Sequence, residues 1–140
     1  MEAIVVEDKP SDRKLIIDGL KKSKYNFEII DVDIKEILSD LNTSDNVDKL
    51  VRKEDTKVQY VIDVNLTKAK GEEYGLKLLK KLKSRVDEDN CKFIIVSNWS
   101  KCDFTSDVDL EYDNFVDKRL FNGFEFKYKI KMEVNSLWAK

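Results

Sequence analysis

Histidine is absent from this sequence of 140 residues, which also holds only two cysteines, one proline and four glycines. Without His no His-based catalytic triad can form, and Cys91 and Cys102 are too few for a zinc cluster or a disulfide framework. Any bound metal would therefore be a hard cation held by oxygen. Long apolar runs are missing too. Nothing approaches the roughly 20 residues that span a bilayer, and the N-terminus lacks the basic-then-apolar order of a signal peptide. A soluble, cytoplasmic protein is expected. There is no excess of charge of one sign: 26 Lys and Arg stand against 28 Asp and Glu, a formal net charge of −2, which argues against a broad basic nucleic-acid footprint. With no repeat, no low-complexity tract and no proline-rich linker, residues 1–140 read as one domain. A chain of this length buries roughly 65–70% of its unfolded surface, enough for a single core.

What is present is organised around the apolar run Val58, Gln59, Tyr60, Val61 and Ile62, which leads straight into Asp63. A buried parallel strand ending in Asp places that acid at the carboxyl edge of a sheet, where open α/β folds carry their chemistry. Taken alone, Asp63 could equally start a loop or cap a helix. Ahead of it, Ala3, Ile4, Val5 and Val6 form a first strand that runs into Glu7 and Asp8. Ser11 and Asp12 after Pro10 make a good N-cap pair, so a first helix is expected over 12–22, with Leu15, Ile16, Gly19 and Leu20 on its inner face. Residues 27–32 are a second strand candidate. Ile34, Ile37, Leu38 and Leu41 then share a helical face, and Val47, Leu50 and Val51 extend or restart that helix after a polar break.

Beyond Asp63 a polar loop containing Thr67 and Gly71 leads to an amphipathic helix over 75–83, with Leu76, Leu78, Leu79 and Leu82 inside and lysines on a solvated outer face. Phe93, Ile94, Ile95, Val96 and Ser97 form a continuous buried strand. Residues 98–113 are polar and weakly patterned, and a helix is expected among them. Residues 114–118 form a short fifth strand ending in Lys118, and 121–138 close the domain with a loosely helical pattern through Phe124, Tyr128, Ile130, Val134 and Leu137.

Strands that alternate with helices imply right-handed crossovers and a parallel sheet, so all strand carboxyl ends lie along one edge. That edge receives Glu7 and Asp8, then Asp63, then Ser97, then Lys118. Converging carboxylates repel, and relief comes from protonation, from Lys118 or from a bound cation. Mg²⁺ fits such a site best, because it accepts one or two carboxylates and keeps positions open for water or phosphate oxygens. A lysine and a hydroxyl beside it can meet the remaining oxygens of a phosphoryl group, which makes Asp63 a plausible nucleophile toward phosphorus.

The ordered set Glu7 and Asp8, Asp63, Ser97 and Lys118, each at a strand end, resembles the receiver domain of two-component response regulators, over essentially the whole chain. The resemblance implies a flavodoxin-like, doubly wound, five-stranded parallel sheet of order 2-1-3-4-5 with helices on both faces. It further implies Asp63 as phospho-acceptor, with Mg²⁺ held by Asp8, Asp63 and the backbone carbonyl of Asn65, Glu7 assisting through water. Ser97 would be the switch hydroxyl, Lys118 the phosphoryl contact and Phe115 the switch aromatic. Residues 75–79 resemble the start of the family's third helix. The expected partners are a histidine kinase or phosphotransfer protein and a downstream protein target or an output domain elsewhere; neither direct nucleic-acid binding nor a membrane is implied, and dimerisation is compatible with the family. Such a chain is a signalling phospho-acceptor that catalyses only its own phosphorylation and dephosphorylation.

The sequence departs from the family at Arg119 and Thr67, where prolines are usual, at Asn98, where a small residue is usual, and in the long loop after Asp63. Two other readings compete. A pseudo-receiver would use the same fold as a phosphorylation-independent protein-interaction module. A Toprim-like Mg²⁺-dependent phosphodiester enzyme would use Glu7 with Asp31 and Asp33, leaving Asp63, Ser97 and Lys118 without roles.

Overall fold

Among the described residues, apolar runs bounded by polar residues form the strands, and the apolar faces through Ile16 and Leu20, Leu78 and Leu82, and Ile130 and Val134 form the helices. The computed structural model describes residues 1–33, 47–63, 74–98 and 114–139. In chain order these form β1 (Glu2–Val6), α1 (Pro10–Lys22), β2 (Glu28–Ile30), β3 (Val58–Asp63), α2 (Tyr74–Lys83), β4 (Cys91–Ser97), β5 (Asn114–Asp117), a 3-10 turn (Lys118–Leu120) and α3 (Gly123–Trp138). The strands form one five-stranded sheet of order β2-β1-β3-β4-β5, and every neighbouring pair is parallel. Among the described residues no helix is long and apolar enough to cross a membrane. The helices expected around Ile34 to Leu41 and across 99–113, and the loop holding Asn65, Thr67 and Gly71, lie outside the described residues.

Alternation along the strands divides the core in two. On one face Ile4, Val6, Tyr60, Ile62, Phe93 and Ile95 pack against Leu78, Leu79 and Leu82 of α2 and against Val47 and Leu50. On the other, Ala3, Val5, Val61, Ile94 and Val96 pack against Ile16 and Leu20 of α1 and Phe126, Ile130, Val134 and Leu137 of α3. Burying each of the Val, Leu, Ile and Phe side chains among these contributes roughly 1.5–3 kcal/mol. Lys77 and Lys80 of α2 are exposed, as its periodicity predicts.

Several boundaries differ from the sequence reading, and three of them have an identifiable reason. Helix α1 begins at Pro10, not Asp12: Pro fits the first helical position, where its missing N–H costs nothing, and Lys9 is the N-cap without a side-chain bond. Strand β2 is shorter than 27–32, because its ladder with β1 runs only from Glu2 opposite Glu28 to Ile4 opposite Ile30. Strand β5 ends at Asp117, and Lys118 opens the 3-10 turn. The Asp117 carboxylate caps that turn by accepting from the Arg119 N–H at 3.0 Å and from the Arg119 guanidinium at 3.1 and 2.9 Å. Proline at 119 would lack that N–H. The closing helix gains a capping box in which Asn122 accepts from the Glu125 N–H at 2.9 Å.

Gly19 lets α1 lie close against α3. A Cβ there would lie 2.7 Å from the Lys127 carbonyl oxygen and 3.0 Å from Ile130. Gly19→Ala gains about 1 kcal/mol of helix propensity, but overpacking of this kind costs about 1–3 kcal/mol. A net loss on the order of 1 kcal/mol is predicted, read as a lower urea midpoint; an unchanged or higher midpoint would show that the two helices can part without cost.

Candidate functional site

Strand register assembles the site. Val6 lies opposite Ile62, so Glu7 leaves β1 beside Asp63 at the end of β3. Asp63 lies opposite Val96, which places Ser97 next along the edge, and Ser97 lies opposite Asp117, one residue before Lys118. Four of the residues singled out in the sequence are thereby buried together: Glu7 is 1% exposed, Asp63 3%, Ser97 0% and Lys118 9%. Asp8 is exposed.

The Lys118 ammonium lies among carboxylates. Its Nζ donates to Glu7 Oε2 at 3.0 Å, to Asp63 Oδ2 at 3.0 Å and to Asp12 Oδ2 at 2.8 Å. Burial works against the charged form of Lys118, but Asp63, Glu7 and Asp12 together outweigh it and raise its pKa above the ordinary value. Glu7 responds in the opposite sense to a typical paired acid. Burial, then a hydrogen bond and charge repulsion from Asp63, raise its pKa from 4.5 to about 8, against the smaller opposing pull of Lys118 and the Lys9 N–H. The Lys9 N–H reaches Glu7 Oε1 at 3.0 Å. One ammonium is thus too little positive charge for this edge, and a proton on Glu7 makes up part of the difference.

The same donor set suits a hard divalent cation. One carboxylate oxygen each from Glu7, Asp8 and Asp63 lies within 4.8 Å of the others, and all the donors are oxygen. The Asn65 carbonyl lies outside the described residues. Phe115 is half-buried in β5 and packs on the core face that contains Ile95. Asp31 and Asp33 are exposed beyond the end of β2, and Asp31 pairs with Arg13 at 3.6 Å. They belong to no metal-holding group with Glu7 among the described residues.

Asp12 is the site residue that the sequence reading missed. Its sequence context marks a helix cap, yet its carboxylate accepts from Lys118. The available signal was Pro10: a helix that starts there puts Asp12 on its first turn, facing back over the sheet edge. Arg13, the next residue, ties that turn to β1 through a 2.8 Å bond from Nη1 to the Val5 carbonyl.

The raised Glu7 pKa fixes a pH dependence. The folded chain retains the Glu7 proton where the unfolded chain has lost it, so this contribution to stability is full below pH 4.5 and is lost as pH rises through about 8. The metal-free protein should lose thermal stability between about pH 5 and 8, Glu7→Gln should flatten that loss, and added Mg²⁺ should raise the melting temperature more at the alkaline end. A wild-type profile flat over this interval, or one unchanged in Glu7→Gln, would remove Glu7 as its source.

No protein-family model matches the sequence, and no curated protein matches it. Solved structures do. The phosphorylated cyanobacterial phytochrome response regulator RcpA superposes with a TM-score of 0.65 at 22% identity, covering 99% of this chain and 94% of that one. The Mn²⁺-bound form of response regulator Rcp1 superposes with a TM-score of 0.63 at 18% identity, with coverage of 99% and 94%. Strand order, parallel pairing and near-complete overlap agree: this chain has the receiver-domain fold of response regulators.

Proposed function

We propose that this chain is a phospho-accepting receiver domain that takes a phosphoryl group on Asp63 from a histidine kinase or phosphotransfer protein. The observation that carries the reading is the buried Asp63 carboxylate at the sheet edge, bonded to Lys118 and flanked by Glu7 and Asp8. The phosphorylated state of one structural neighbour and the Mn²⁺ bound in another support it.

In the proposed reaction an Asp63 oxygen forms a bond to phosphorus while the donor's bond to phosphorus breaks, its electron pair leaving with the donor. The Lys118 ammonium then turns from the Asp63 carboxylate to an oxygen of the phosphoryl group and offsets its charge. Glu7, Asp8, Asp63 and the Asn65 carbonyl are the groups that would hold Mg²⁺, which when bound neutralises charge on the phosphoryl oxygens. Ser97 supplies a hydroxyl to those oxygens, Phe115 follows it, and the surface of β5 changes its affinity for a protein target. The exposure of Asp31 and Asp33 and their separation from Glu7 count against the Toprim-like reading.

Incubation with acetyl phosphate and Mg²⁺ followed by intact-mass spectrometry tests the proposal. Wild type should gain one acid-stable, base-labile phosphoryl adduct, and Asp63→Ala should gain none while keeping its fold. Persistent uptake by Asp63→Ala would reject Asp63 as nucleophile. No adduct on wild type under any condition would leave a phosphorylation-independent protein-binding module.

A further inference from the structure

We infer that Asp12 is a positioning residue that holds the Lys118 ammonium at the phospho-acceptor site, an inference that rests on the phospho-acceptor reading. An ammonium has three N–H donors. Here they go to acceptors on three separate elements: Glu7 after β1, Asp63 at the end of β3 and Asp12 in the first turn of α1. Asp12 makes the shortest of these bonds, at 2.8 Å.

The three acceptors are not equivalent once chemistry begins. Asp63 becomes an acyl phosphate and gives up the carboxylate charge that Lys118 pairs with. Glu7 faces the metal-holding group as well as the ammonium. Asp12 belongs to no such group among the described residues, so its hold on Lys118 persists through the transfer. Its own position is fixed, because Pro10 starts the helix and Arg13 bonds the Val5 carbonyl from the adjacent residue. Lysine carries a compact charge on a flexible stem with many rotamers. Asp12, the acceptor outside the metal-holding group, lets the bond toward Asp63 be the one exchanged while the ammonium stays in place.

Asp12→Ala removes the acceptor. Asp12→Asn keeps an acceptor oxygen at the same place, and Asp12→Leu gives a second variant without one should Asp12→Ala fail to fold. Phosphoryl uptake is measured against acetyl phosphate concentration with Mg²⁺ present, and beryllium trifluoride, a phosphoryl mimic, is titrated calorimetrically. The variant lacking the acceptor should lose about tenfold in maximal uptake rate with half-saturation within about twofold of wild type, and should bind beryllium trifluoride about tenfold more weakly. Asp12→Asn should recover both to within about threefold. Wild-type rate and affinity in a folded variant lacking the acceptor would overturn the inference and leave the phospho-acceptor reading standing. A wild-type protein that takes up no phosphate would overturn both.

Discussion

Glu7, Asp63 and the Lys118 ammonium are buried together at one edge of the sheet, with Asp12 beside them, and that charge imbalance constrains the rest of the site. Lys118 is 111, 106 and 55 residues from Glu7, Asp12 and Asp63, so its bonds fix how β1, α1 and β3 meet the segment after β5 at this edge. Removing one partner of such a buried network leaves uncompensated charge, which makes the cluster sensitive to substitution. The same imbalance gives the site its chemistry: an edge short of positive charge takes up a proton on Glu7 and is suited to a cation. The parallel sheet supplies the scaffold, because only a shared strand direction brings the ends of β1, β3 and β4 to one side.

Much of this arrangement could be read from the sequence because strand burial and strand ends are local signals. Val58 to Ile62 could form a fully buried strand only by ending near Asp63, and the apolar run from Phe93 fixed Ser97 in the same way. The Leu78, Leu79 and Leu82 face declared itself through spacing alone. Asp12 escaped because Ser11 and Asp12 satisfy the local rule for a cap, whereas its actual partner lies more than a hundred residues away. Long-range pairing of that kind has no periodicity to betray it.

Lys118 shows a subtler failure. Its place at the edge was legible, but not its backbone, since the 3-10 turn depends on Asp117 and Arg119 gripping one another. Arg119, a departure from the family pattern, does local work that proline could not: it donates the N–H that closes the turn and holds the Asp117 carboxyl below its usual range. A different residue thus anchors the segment that carries Lys118. Sequence likeness fell too low for a family model or a curated relative to match, while the fold persisted, because the sheet requires burial and register and not particular identities.

The central claim is that the phosphoryl group lands on Asp63. Borohydride reduction of the acetyl-phosphate-treated protein converts an aspartyl phosphate to homoserine, and peptide mapping by tandem mass spectrometry then locates it. That conversion is expected at residue 63 and at no other carboxylate. Conversion at Asp8 or Asp12, reduction of Glu7 to the corresponding 5-hydroxy side chain, or no reduction in a wild-type sample incubated with Mg²⁺, would contradict the claim.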